Sequence, residues 1–187
     1  MNPPSVSCII LAGGEGKRFH HADKGLVALN GQPLIAHVMA ALKHQVDDVV
    51  ISANRNFERY RAFSPMVVPD VAEKHGPLSG IVAALPVCRH EQVLVVPCDM
   101  PCLPDDLVAR LQAGPAQHDI SIAEVQGRLQ LVLLMRKSLL ASAQDRLAAG
   151  NYRLMQWVKA CSPAIINFDD RTAAFKNINE ARELDGL

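Results

Sequence analysis

The segment Leu11-Ala12-Gly13-Gly14-Glu15-Gly16-Lys17-Arg18, with Lys24 close behind, combines three glycines with three cationic side chains. Glycine lets the backbone approach an anion and turn successive N–H groups toward it, while Lys17, Arg18 and Lys24 supply charge for the oxygens those amides leave unneutralised. Such a loop suits a triphosphate. Just before it, Val6-Ser7-Cys8-Ile9-Ile10 is rich in β-branched residues and predicts a buried parallel strand. The loop would then leave that strand's carboxyl end, the rim at which open α/β sheets bind ligands.

Two familiar phosphate loops do not fit. A Walker loop needs a glycine five residues before its Gly-Lys pair and Ser or Thr after it, whereas Gly16-Lys17 has Leu11 upstream and Arg18 downstream. A dinucleotide loop needs a third glycine where Phe19 stands. It also needs an acid at the end of the next strand, which here closes in Ser52-Ala53-Asn54.

At 187 residues, 49% hydrophobic and 20% charged, the chain can bury one sizeable core but not two independent ones, so 1–187 is expected to form a single domain. Lys plus Arg equals Asp plus Glu at 19 each. No global basic field therefore exists for nucleic acid or an anionic membrane, and anion affinity must come from local clusters. Met1-Asn2-Pro3-Pro4 has no secretory pattern, and apolar runs such as Leu131 to Met135 fall well short of the ~18 residues of a membrane span. The expected location is cytoplasmic.

Cys8, Cys88, Cys98, Cys102 and Cys161 are odd in number and scattered, which favours reduced thiols over a disulfide framework. Cys98 and Cys102 lack zinc spacing and a second ligand pair, so both are expected to be packing residues. His20-His21-x-Asp23 superficially suggests a metal site, but adjacent side chains point apart; two solvated histidines near phosphates are expected instead.

Elements must position the loop. The pattern predicts strands over 5–11, 48–53, 66–69 and 92–97, alternating with helices over 33–43, 57–63, 77–85 and 104–112. Asp105 and Asp106 are placed in the first turn of the last of these helices. A hairpin over 119–125 and 128–135 turns at Gln126-Gly127; then come helices over 137–149 and 152–161 and a strand over 164–168. This alternation predicts a three-layer α/β fold with a mostly parallel sheet and a mixed edge. Loops after successive strands then converge on one rim, bringing together Asn54, Asp70 and Asp99. Asn54 can donate and accept, Asp70 can accept N–H donors, and Asp99 offers the hard oxygen that magnesium prefers.

The motifs Leu11-Ala12-Gly13-Gly14-x-Gly16-x-Arg18, Asp23-Lys24-Gly25-Leu26, Leu29-x-Gly31-x-Pro33-Leu34, Ser52-Ala53-Asn54-Arg55, Gly76-Pro77-Leu78-x-Gly80, Pro97-Cys98-Asp99-Met100-Pro101 and Phe175-x-Asn177-Ile178-Asn179 span nearly the whole chain. In type and order they resemble the molybdenum cofactor guanylyltransferases. The resemblance implies a Rossmann-like nucleotidyltransferase that moves GMP from GTP to the phosphate of molybdenum-bound molybdopterin, releasing pyrophosphate. It further implies that Leu11, Ala12 and Gly13 line the nucleotide site and that Arg18 and Lys24 meet phosphates. Asn54 and Asp70 would lie along the nucleoside, Asp99 would bind Mg2+, and Asn177 and Asn179 would complete the metal or acceptor side.

Catalytic roles would fall on Arg18, Lys24 and Asp99. Partners would be GTP and molybdenum-molybdopterin, with cofactor-delivering and molybdoenzyme chaperone proteins beside them. The sequence departs from the family pattern at His20-His21, where Gly-Gly is usual, and near Gln130, where a proline is usual. Alternatives are a cytidylyltransferase on the same pterin, a sugar-phosphate nucleotidyltransferase, and a non-catalytic module binding GTP or molybdopterin.

Overall fold

Burial on both faces turns the apolar runs into central strands. The computed structural model describes residues 5–13, 23–71 and 76–178. Strand β1 (Val6–Leu11) is buried from Val6 through Ile10. A two-stranded ribbon, β2 (Ala28–Leu29) and β3 (Gln32–Pro33), turns through Asn30 and Gly31, both at positive φ, and leads into helix α1 (Leu34–Leu42). Next come β4 (Asp48–Ser52), α2 (Phe57–Arg61), β5 (Met66–Val68), α3 (Pro77–Ala84) and β6 (Gln92–Pro97). The second half holds α4 (Leu107–Gln112), the hairpin β7 (Ile120–Val125) and β8 (Arg128–Arg136), α5 (Leu140–Ala148), α6 (Leu154–Ala160) and β9 (Ala164–Asn167).

These strands form a seven-stranded sheet in the order β5-β4-β1-β6-β8-β7-β9. The pairs among β5, β4, β1 and β6 are parallel; β8 runs antiparallel to β6 and β7, and β9 pairs parallel with β7. The mixed edge thus consists of the hairpin and β9, in keeping with the Gln126-Gly127 turn; both turn residues have positive φ.

Alternation along β1 divides the core. Val6, Cys8 and Ile10 pack with Ile35 and Val38 of α1, Tyr60 of α2 and Leu107 and Leu111 of α4 on one face. Ile9 packs with Leu78 and Ile81 of α3, Ala143 of α5 and Trp157 of α6 on the other. Three layers result, as expected for strands that are joined by helical crossovers. Among the described residues no helix is long and apolar enough to cross a membrane.

One helix start is corrected. α4 begins at Leu107, so Asp105 and Asp106 precede it instead of occupying its first turn. The buried Gln45 takes the capping role from a distance: its Oε1 accepts from Val108 N at 3.0 Å and its Nε2 donates to Pro104 O at 2.8 Å. A tertiary amide therefore satisfies an end that the local acids do not.

Candidate active site

Strand register builds the site. Val68, Ser52, Leu11 and Pro97 form one row across β5, β4, β1 and β6. The ladder continues one step past that row, with Ala53 N to Val68 O at 2.9 Å, Ala12 N to Ser52 O at 2.7 Å and Cys98 N to Leu11 O at 3.1 Å. Two positions beyond each row residue stand Asp70, Asn54, Gly13 and Asp99. The rim expected from the sequence thus collects all four, with Leu11 and the buried Ala12 behind Gly13.

Asn54 and Asp70 form the first cluster. Asn54 Nδ2 donates to Asp70 Oδ2 at 2.9 Å and Asp70 N donates to Asn54 Oδ1 at 2.9 Å; Ser52 Oγ donates to Asp70 Oδ1 at 2.6 Å. Asn54 Nδ2 also reaches Gly13 O at 3.4 Å. A Cβ on Gly13 would meet Asn54 Nδ2 and Asp70 Oδ2 at 3.0 Å, so the chain passes close over this pair and any larger residue would have to push it aside. Gly80, in α3, also packs closely here: a Cβ there would press on Ser52 Oγ and lie 2.9 Å from Asp70 Oδ1.

Lys24 and Asp99 form the second. Lys24 Nζ pairs with Asp99 Oδ2 although 75 positions separate them. The other carboxylate oxygen, Asp99 Oδ1, is buried and has no hydrogen-bond partner among the described residues. An ionised oxygen left so is costly unless a cation meets it, and a single hard carboxylate beside a phosphate site is what Mg2+ uses. Asp99 therefore fits the implied ion. Among the described residues no group of three or more His, Cys, Asp or Glu is arranged to hold a metal.

Asp23 is engaged by side chains from α2 and the segment before it. Its carboxylate accepts from Tyr60 OH and from Asn56 Nδ2 at 3.1 Å, and lies 3.6 Å from Arg55 Nε. No local pattern links Asp23 to Tyr60; the available signal is a tyrosine on an apolar helix face, whose buried hydroxyl must find a partner.

Cys98 packs under Gly25, and burial, with Asp99 and Asp23 nearby, pushes its thiol far above the usual range. Cys8 and Cys88 are likewise buried, whereas Cys102 is exposed, which corrects its assignment as a packing residue. The loop after Asp99 turns Met100 and Leu103 inward and leaves Cys102 facing solvent.

The C-terminal motif reaches the same rim. Ile178 N donates to Asp99 O at 2.9 Å, and the Ile178 side chain is buried with Leu29 and Leu34. Asn177 is exposed beside it; Asn179 lies outside the described residues, as do Gly14, Glu15, Gly16, Lys17, Arg18, His20 and His21.

A mostly parallel sheet whose first strand leads into Gly13, with carboxylates just past the ends of neighbouring strands, marks the open α/β class that binds its ligands at the carboxyl rim of the strands. Residues 8–164 match the family described as the MobA-like NTP transferase domain. A protein from Shewanella frigidimarina named molybdenum cofactor guanylyltransferase is 41% identical over 180 residues, 94% of this chain and 92% of its own. Its namesake from Burkholderia vietnamiensis is 40% identical over 197 residues, covering 98% and 96%. Molybdopterin-guanine dinucleotide biosynthesis protein A from Archaeoglobus fulgidus superposes with a TM-score of 0.72 at 20% identity over 96% of this chain and 95% of its own, a likeness of fold. The chain belongs to the MobA-like NTP transferase family and is a nucleotidyltransferase.

Proposed function

We propose that this enzyme transfers GMP from GTP to the phosphate of molybdenum-bound molybdopterin, forming molybdopterin guanine dinucleotide. An oxygen of the acceptor phosphate attacks the α-phosphorus of GTP, and the bond from that phosphorus to the bridging oxygen of pyrophosphate breaks. The nucleophile belongs to the substrate, so the protein's work is positioning and charge neutralisation.

The observation that carries the reading is the register row that sets Gly13, Asn54, Asp70 and Asp99 side by side. Leu11, Ala12 and Gly13 line the nucleotide, and Arg18 and Lys24 meet its phosphates. Among the described residues Asp70 Oδ1 accepts from Ser52 and Asp70 Oδ2 from Asn54; a carboxylate oxygen has two lone pairs, which leaves acceptor capacity for guanine N–H groups, with Asn54 fixing its plane. Asp99 holds Mg2+, which when bound supplies Lewis-acid neutralisation of phosphate charge. Asn177 and Asn179 complete the metal or acceptor side. In this reading 1–187 acts as one cytoplasmic domain, and cofactor-delivering and molybdoenzyme chaperone proteins exchange the pterin with it.

The test is nucleotide competition. With molybdenum-loaded molybdopterin as acceptor, pyrophosphate release should follow GTP and resist excess CTP, ATP or UTP. Release driven by CTP would instead favour the cytidylyltransferase.

A further inference from the structure

Asp23 is held from both ends. Its carboxylate, 2% exposed, accepts from the hydroxyl of the fully buried Tyr60 and from Asn56, with Arg55 alongside. Its carbonyl accepts from Leu26 N at 3.0 Å, which closes the short turn Lys24–Leu26. Gly25 lies so near α2 that a Cβ would come 2.7 Å from Tyr60 OH and 3.3 Å from Cys98 Cβ. The turn that carries Lys24 is therefore clamped between helix α2 and the residue just before Asp99.

A lysine loses rotamer freedom when its ammonium is held at one point, and a flexible base to its long stem would add to that loss. Fixing the backbone of Lys24 removes part of it. The structure assigns Asp23 and Tyr60 a joint role as positioning residues: the buried Tyr60–Asp23 hydrogen bond sets where Lys24 meets the triphosphate. This rests on the reading of Lys24 as a phosphate ligand. It also gives the Asp-Lys-Gly and Asn-Arg-Asn segments one physical purpose, since Arg55 and Asn56 serve the same carboxylate.

The test is a double-mutant cycle read on GTP affinity, which stays measurable when turnover falls below detection. Wild type, Tyr60→Phe, Lys24→Ala and the double variant are titrated with GTP and Mg2+, with thermal stability recorded for each. A hydrogen bond to a charged group is worth about tenfold, so Tyr60→Phe should weaken GTP by about that factor with the fold retained. In the Lys24→Ala background the same change should have almost no further effect. An equal loss in both backgrounds, or no loss in the wild-type background, overturns the inference while leaving Lys24 a phosphate ligand. Unchanged GTP affinity in Lys24→Ala alone would instead refute the underlying reading. Should Tyr60→Phe not fold, Asn56→Ala removes another donor to Asp23 and runs through the same cycle with the same outcomes.

Discussion

Asn54 and Asp70 grip each other by two hydrogen bonds, Asn54 Nδ2 to Asp70 Oδ2 and the Asp70 backbone N–H to Asn54 Oδ1, each 2.9 Å long. The ends of β4 and β5 are joined by this pair, and glycines 13 and 80 both pack close against its carboxylate. Most of Asn54's capacity is spent inside the protein, on Asp70 and on Gly13 O, so its part is to fix the Asp70 carboxylate beside Gly13.

Gly80→Ala tests that packing because two effects oppose each other. Alanine favours a helix over glycine by about 1 kcal/mol. The added methyl here would press on Ser52 Oγ, on Asp70 Oδ1 at 2.9 Å and on Leu11 Cδ2 at 3.1 Å. Overpacking of about 1–3 kcal/mol should win, lowering the melting temperature and weakening GTP binding together. Thermal melts and GTP titration of the variant check both.

Asp99→Asn keeps the shape of the side chain and removes its charge. Transfer should fall by at least about a hundredfold and lose its response to added Mg2+, with little change in the melting temperature. Initial rates across a magnesium series provide the check; near-normal rates would remove Asp99 from the metal role.

Ile178→Ala should act at a distance from its own side chain. It empties a small apolar cluster with Leu29 and Leu34, a loss of about 2 kcal/mol. It also loosens the segment whose backbone N–H bonds the Asp99 carbonyl. Denaturant unfolding should show the first effect and reduced transfer the second, and Ile178→Val should restore most of both.

The tail that delivers Ile178 is fastened upstream by Arg110. Its guanidinium donates to both Asp170 oxygens at 2.9 Å and stacks on Phe168 at 4.0 Å. Hydrogen bonding from Arg110 holds the Asp170 carboxyl below its ordinary value of 3.8. Because the folded-state value is depressed, the stabilisation is present above the ordinary value and is lost as pH falls through the lowered one. Stability curves of wild type and Asp170→Asn should differ at neutral pH and converge in acid. A constant offset across pH would contradict the pairing.

Much of the architecture was legible because period and strand length carry it: β-branched runs bounded by turns gave the parallel core, and Gln126-Gly127 gave the hairpin. The convergence of Gly13, Asn54, Asp70 and Asp99 followed from topology, since parallel strands end at one rim. What escaped was set by tertiary contact. The ribbon around Asn30-Gly31 has two residues per strand, too short for any period, although its Asn-Gly turn was a usable signal. The start of α4 depends on Gln45, 63 positions from Val108, and the Asp23–Tyr60 bond spans 37 positions. Side chains that pair over such distances leave no local pattern.

The central claim is guanylyl transfer at the rim of β1, β4, β5 and β6. Its most direct test is mass analysis of the pterin after incubation with enzyme, GTP, Mg2+ and molybdenum-loaded molybdopterin. The expected product is the acceptor enlarged by one GMP, with an equal amount of pyrophosphate released. An unmodified acceptor, or one that gains CMP from CTP but nothing from GTP, would contradict it.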